Sequence, residues 1–125
     1  MSTTWDYFSD EELKCSHCGE VHMEDSFMQK VVELRKMYGR PLMVTSAFRC
    51  TAHPIEAKKQ KRGAHTYGRA IDLAVQGGDA HDLLKCALEM GFAGIGVAQK
   101  GGGRFIHVDD LTEDDGFPRP WVWSY

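Results

Sequence analysis

GIGVAQKGGGRFIHVD, residues 94–109, is the stretch whose reading decides the fold. Gly94 to Ala98 reads as a short apolar strand, Lys100-Gly-Gly-Gly as a turn, and Phe105 to Asp109 as a second strand. The two are predicted to fold back on each other as an antiparallel hairpin. Strand side chains alternate, so Ile106 and Val108 fall on one face of the second strand and Phe105, His107 and Asp109 on the other. A histidine and a carboxylate therefore share a strand face.

Working outward, Ala70-Ile-Asp-Leu-Ala-Val75 alternates in the same way. Ile71, Leu73 and Val75 point one way while Ala70, Asp72 and Ala74 point the other, which leaves Asp72 on a face kept open by alanines. Between these strands, Asp79 to Met90 carries Ala80, Leu83, Leu84, Ala87 and Leu88 at helical spacing, with Gly91 as its stop and Cys86 on the apolar side, read as core. Asp25 to Tyr38 predicts an earlier helix from Phe27, Val31 and Leu34, flanked by Met28 and Val32 and ended by Gly39. After Arg40-Pro41, the run Leu42 to Ser46 suits a strand ending near Arg49, followed by a polar, irregular region. Strands interleaved with helices and closed by a tight hairpin predict an α+β fold. Its small sheet is mostly antiparallel, with helices on one face and a site on the other. The aromatic segment Phe117 to Tyr125 is expected to pack back across the domain rather than stand in water.

A length of 125 residues suits a single domain spanning residues 1–125, and 42% hydrophobic with 26% charged residues is the composition of an ordinary globule. No repeat, charge block or linker divides it. A formal charge of -3 gives no general attraction to nucleic acid or to an anionic membrane, so neither is expected as a partner, and a monomer is expected. The acidic opening MSTTWDYFSDEEL lacks the basic start and apolar stretch of a secretory signal, which predicts a cytoplasmic chain. In that reducing setting Cys15, Cys18, Cys50 and Cys86 are expected to be thiols or metal ligands rather than disulfides.

Three groups carry the candidate chemistry: His65 and Asp72 in Ala-His-Thr-Tyr-Gly-Arg-Ala-Ile-Asp, and His107 in the hairpin. Two neutral imidazoles and a carboxylate are the ligand set of a hydrolytic zinc site, which keeps a fourth position for water and lowers the pKa of that water to roughly 7. The same residues also admit a plainer reading, in which His65 caps a loop, Asp72 accepts backbone hydrogen bonds and His107 is a satisfied strand histidine.

The ordered series Thr-Ser-Ala-Phe-Arg-Cys (45–50), His-x2-Gly-x-Ala-x-Asp (65–72), Gly-x-Gly-Val (94–97) and Phe-Ile-His-Val-Asp (105–109) resembles the zinc D-alanyl-D-alanine carboxypeptidases. That family of peptidoglycan peptidases shares its fold with the hedgehog signalling domain and the lysostaphin-type peptidases. The resemblance begins near Phe8-Ser-Asp-Glu-Glu-Leu and reaches the Arg119/Trp121 tail. It implies that His65, Asp72 and His107 bind Zn2+, that Arg49 faces a peptidoglycan peptide substrate, and that an amide bond of a stem peptide or cross-link is hydrolysed. An arginine there could pair with a substrate carboxylate or hold the charge of the attacked carbonyl. It also implies a small phage-type lysis enzyme that acts on the cell wall once released.

Many family members carry a carboxylate three residues before the second histidine ligand, where this sequence has Arg104. Asp109, on the same strand face as His107, is the nearest replacement as general base, and equally a residue that could orient a histidine ligand through its other N–H. Arg104 also keeps open an alternative from another class, a zinc-holding but inactive binding or structural module. His53 reads either as a substrate contact or as a cap of the turn before Pro54, and Tyr67 either as an oxyanion donor or as packing. The run Lys58-Lys59-Gln-Lys61-Arg62 reads as solvated loop. Cys15-Ser-His-Cys18 is half of a structural zinc motif that Cys50, His17 or His22 would have to complete. No cysteine shows a convincing basic helper nearby in sequence, which argues against a cysteine nucleophile.

Overall fold

The computed structural model describes residues 5–125; the first residues of the acidic opening stretch, 1–4, lie outside the described ones. Four α-helices and five strands follow in the order α1 (Asp10–Leu13), α2 (Asp25–Tyr38), β1 (Met43–Ser46), α3 (Pro54–Ala57), β2 (Ala70–Ala74), α4 (Gly77–Met90), β3 (Gly94–Ala98), β4 (Phe105–Asp109) and β5 (Trp121–Ser124). Single 3-10 turns occupy Ala64–Tyr67 and Glu113–Asp115. Among the described residues no helix is long and apolar enough to cross a membrane.

The strands form one sheet in the order β1-β2-β4-β3-β5, antiparallel throughout except for the parallel pair β3/β5. The β3/β4 hairpin and β2 sit where the alternating apolar pattern places them. Ile71, Leu73, Ile95, Ile106 and Val108 turn one sheet face inward, against Phe27, Met28, Val31 and Leu34 of α2 and Leu83 and Ala87 of α4. The long helices both stop at a left-handed glycine, Gly39 at φ 78° and Gly91 at φ 80°, a conformation that disfavours any side chain.

Several boundaries differ from expectation for local reasons. The first strand stops at Ser46 rather than near Arg49, because its register slips between Val44 and Ser46 and the chain then leaves the sheet. The Phe48 amide donates to Leu13 O and the Arg49 amide to His65 O. The second long helix begins two residues early, at Gly77, since a first turn needs no good helix formers once its apolar stripe is anchored. On that helix Cys86 is half-buried at the edge of the core rather than within it, and Leu88 is 61% exposed. Helix α1 is set by a capping box between Ser9 and Glu12. The aromatic tail pairs with the sheet as the parallel edge strand β5, but Trp121, Val122 and Tyr125 keep their side chains exposed, because an edge strand is held by backbone hydrogen bonds, while Trp123 turns onto the site.

Leu73→Ala would empty a fully buried position at the centre of the sheet. It is expected to cost about 2–5 kcal/mol of stability, read as a lower urea midpoint at constant metal concentration.

Candidate metal centre

Adjacent antiparallel strands set Asp72 of β2 directly opposite His107 of β4, both on the face turned away from the helices. The third group comes from the 3-10 turn at Ala64–Tyr67, which delivers His65 to the same point, with the two imidazole centroids 5.1 Å apart. All three side chains are buried, and their ligand atoms lie within 4.8 Å of one another. The geometry thus assembles three residues drawn from two strands and a loop.

Proton positions decide what these atoms can hold. His65 Nδ1–H donates to Ala47 O at 2.7 Å, so in the neutral ring the Nε2 lone pair faces Asp72 Oδ1 across 3.2 Å. His107 meets carboxylates on both sides, Asp72 Oδ1 at 2.9 Å from Nδ1 and Asp109 Oδ2 at 2.7 Å from Nε2. A neutral ring has one proton for those two acceptors. Buried acceptors facing one another without hydrogens are costly, and a single cation among His65, Asp72 and His107 satisfies all three at once. Two imidazole nitrogens and one carboxylate are a zinc-type ligand set, so these residues fit that metal.

The electrostatics favour positive charge at this point. Burial pushes the Asp72 carboxyl up, but His107 and His65 outweigh it and hold it far below the usual carboxylate range. Burial pulls the His65 imidazole down, against the opposing pull of Asp72. His107 is drawn down by burial and more strongly up by Asp109 and Asp72, ending above the ordinary histidine value.

Asp109 is completely buried, and both its oxygens are engaged. Arg119 grips it with two charge-assisted bonds, Nε to Oδ1 at 2.9 Å and Nη2 to Oδ2 at 2.8 Å, while Oδ2 also accepts from His107 and Oδ1 from the Leu111 amide. Two glycines of β3 make room on this face. A methyl group at Gly94 would lie 2.1 Å from Asp109 Oδ1, and one at Gly96 would lie 2.7 Å from Trp123 Nε1. The Trp123 ring takes that space and packs against His107 at a tilt of 54°, centroids 5.0 Å apart.

The centre opens into a cleft of about 590 Å³ whose walls combine the cations Arg49, Lys59 and Arg119 with the rings of Phe105, Phe117 and Trp123. Arg49 is there, with Nη2 3.9 Å from Asp72 Oδ2 and Nη1 3.1 Å from Glu56 Oε2. Glu56, absent from the sequence reading, has its carboxylate almost wholly buried between Arg49 and Lys59 and accepts from the Gly63 amide. Burial raises its pKa, and Lys59 and Arg49 more than reverse that.

Tyr67 and His53 do not line the cleft. Tyr67 stands behind it, edge-on to Phe117 and beneath the Arg62 guanidinium. His53 caps α3 by accepting the Ile55 amide, as the turn reading of that residue has it. Arg104 stays in the β3/β4 connection, donating to Gly101 O at 2.9 Å. Arg119 and Trp123 were legible only as members of an aromatic tail, since their partners lie 10 or more residues away and no spacing announces them. Elsewhere, Cys15, Cys18 and Cys50 bring their sulfurs within 4.8 Å of one another.

The family model described as Peptidase M15 matches residues 6–109. No curated protein matches the chain.

If Asp109 orients His107, removing this carboxylate or its space should loosen the metal without removing a ligand. Asp109→Asn and Gly94→Ala are each expected to weaken Zn2+ binding at this centre by about 10–100-fold, measured by competition with a calibrated chelator. Equal affinity in both variants and the parent would show that Asp109 does not orient His107.

Proposed function

The chain belongs to the peptidase M15 family, and on that premise we propose that it is a zinc-dependent peptidase hydrolysing an amide bond in peptidoglycan stem peptides or cross-links. The observation that carries this reading is the convergence of two imidazole nitrogens and one carboxylate at the floor of an open, cation-lined cleft. Zinc held by His65, Asp72 and His107 supplies a Lewis acid and a water acidified toward neutral pH.

The chain's own groups do the rest. Arg49 lines the cleft beside Asp72, held in place by Glu56, and its Nη2, only loosely paired at 3.9 Å from Asp72, can take a substrate carboxylate or the charge that grows on the attacked carbonyl oxygen. The Glu56 clamp keeps the guanidinium from wandering, because a buried carboxylate already satisfied by Gly63 and Lys59 offers one remaining direction. Phe105, Phe117 and Trp123 exclude water along the flanks and offer flat surfaces to a peptide. Of the two roles open to Asp109, the geometry supports the orienting one. By accepting the Nε2 proton of His107 it leaves Nδ1 free to bind, and its pair with Arg119 keeps it charged. The reading includes release to the cell wall during lysis, as for a phage or prophage enzyme.

A second reading, a metal-holding module without turnover, draws on one feature. Arg104 replaces the usual carboxylate, and Asp109 and Glu56 are both already paired.

Incubation with purified peptidoglycan is expected to release new amine ends, to stop with a chelator and to resume on adding Zn2+. Stoichiometric metal with no amine release would favour the second reading. Arg49→Met should retain Zn2+ while kcat/KM falls by about 10²–10³-fold, and a loss of metal instead would make Arg49 a structural residue.

A further inference from the structure

A second cluster of metal-type side chains lies apart from the cleft, where two loops far apart in sequence meet. Cys15 and Cys18 come from the turn after α1, and Cys50 from the segment leaving β1, next to Arg49. Their three sulfurs lie within 4.8 Å of one another, and all four cysteines of the chain are free thiols. We propose that Cys15, Cys18, Cys50 and His53 form a second, structural zinc site that staples the N-terminal loop to the segment carrying Arg49.

The spacing fits such a site on both sides: Cys15-x2-Cys18 in one loop and Cys50-x2-His53 in the other. The first loop is a closed turn, with the Cys15 amide donating to Glu20 O, the Gly19 amide to Cys15 O, and Gly19 in the left-handed region at φ 76°. The two loops also meet through the Cys50 amide, which donates to Cys15 Sγ at 3.3 Å. Such a donor stabilises a thiolate, which is the form that binds metal.

His53 completes the set from the turn that Cys50 begins, its amide donating to Cys50 O at 3.0 Å. Its imidazole lies against the cysteine loop, Nε2 3.1 Å from Ser16 Oγ, and Nδ1 accepts the Ile55 amide. Both contacts are exposed, so rotation of this half-buried ring exchanges two solvated hydrogen bonds for one coordination bond. Zinc enters as Zn2+ and three S–H protons leave to solvent, with no change of oxidation state. A closed site of three thiolates and one imidazole has no position for water, so its role is to hold structure.

Cobalt replaces zinc and reports sulfur ligation by a thiolate-to-metal charge-transfer band. The full-length chain, reduced and metal-free, is titrated with Co2+. A band is expected in the parent and in His65→Ala/His107→Ala, where the cleft no longer binds, and its loss is expected in Cys18→Ser. His53→Ala should weaken this Co2+ by at least about tenfold, the loss that even an outer partner of a ligand causes, and His17→Ala should not. Should Cys18→Ser fail to fold, the parent alone decides, since with Zn2+ bound the exposed Cys18 and half-buried Cys50 should be protected from a thiol reagent and a chelator should free both. The proposal is overturned by a parent without the band, by equal reactivity of the four thiols with and without Zn2+, or by His17→Ala weakening the metal where His53→Ala does not. None of these readouts involves peptide hydrolysis.

Discussion

Asp72 Oδ1 is approached by an imidazole nitrogen from each side, at 2.9 and 3.2 Å, in a place that water barely reaches. The protons of the two neutral rings are committed elsewhere, His65's to Ala47 and His107's best to the Arg119-held Asp109. Such a point is unfavourable without positive charge and favourable with it, and much of the sheet is shaped to create it. The β2/β4 register sets Asp72 opposite His107, and the loop from Ser46 to Phe48 gives His65 a carbonyl to hold.

Around that point the chain builds a second layer of charge pairs, each fixing one group of the first. Arg119 fixes Asp109, which fixes His107, and Glu56 fixes Arg49. A buried pair of this kind adds little net stability, but removing one partner strands the other, typically at about 3–5 kcal/mol. The pairs therefore act as positioning devices more than as a source of stability. Gly94 and Gly96 belong to the same scheme, since any larger residue would push Asp109 or Trp123 out of place.

The hairpin, the strand at Ala70–Ala74 and the two long helices were legible because their apolar periods are clean and their glycine stops unambiguous. The same alternation put Asp72 and His107 on one sheet face. His65 had no such period, and only its place in an ordered motif singled it out. Glu56 went unread because it sits beside a lysine-rich run whose ordinary fate is solvation, whereas here Lys59 and Arg49 close over it. The grip of Arg119 on Asp109 and the tilted packing of Trp123 on His107 depend on which sheet edge the tail chooses, a tertiary decision without a local signal. Cys86 was misjudged for a related reason: helical spacing gives a direction, not a depth.

Among the described strands β5 pairs with β3 alone, so the hydrogen bonds joining β1, β2, β4 and β3 do not involve this last segment. The centre does, because Arg119, Trp123 and Tyr125 reach it from that segment. Floor and wall thus come from different parts of the chain: His65, Asp72 and His107 from the earlier strands and their turn, Arg119, Trp123 and Tyr125 from the final residues, so the shape of the cleft depends on where the last edge strand lies.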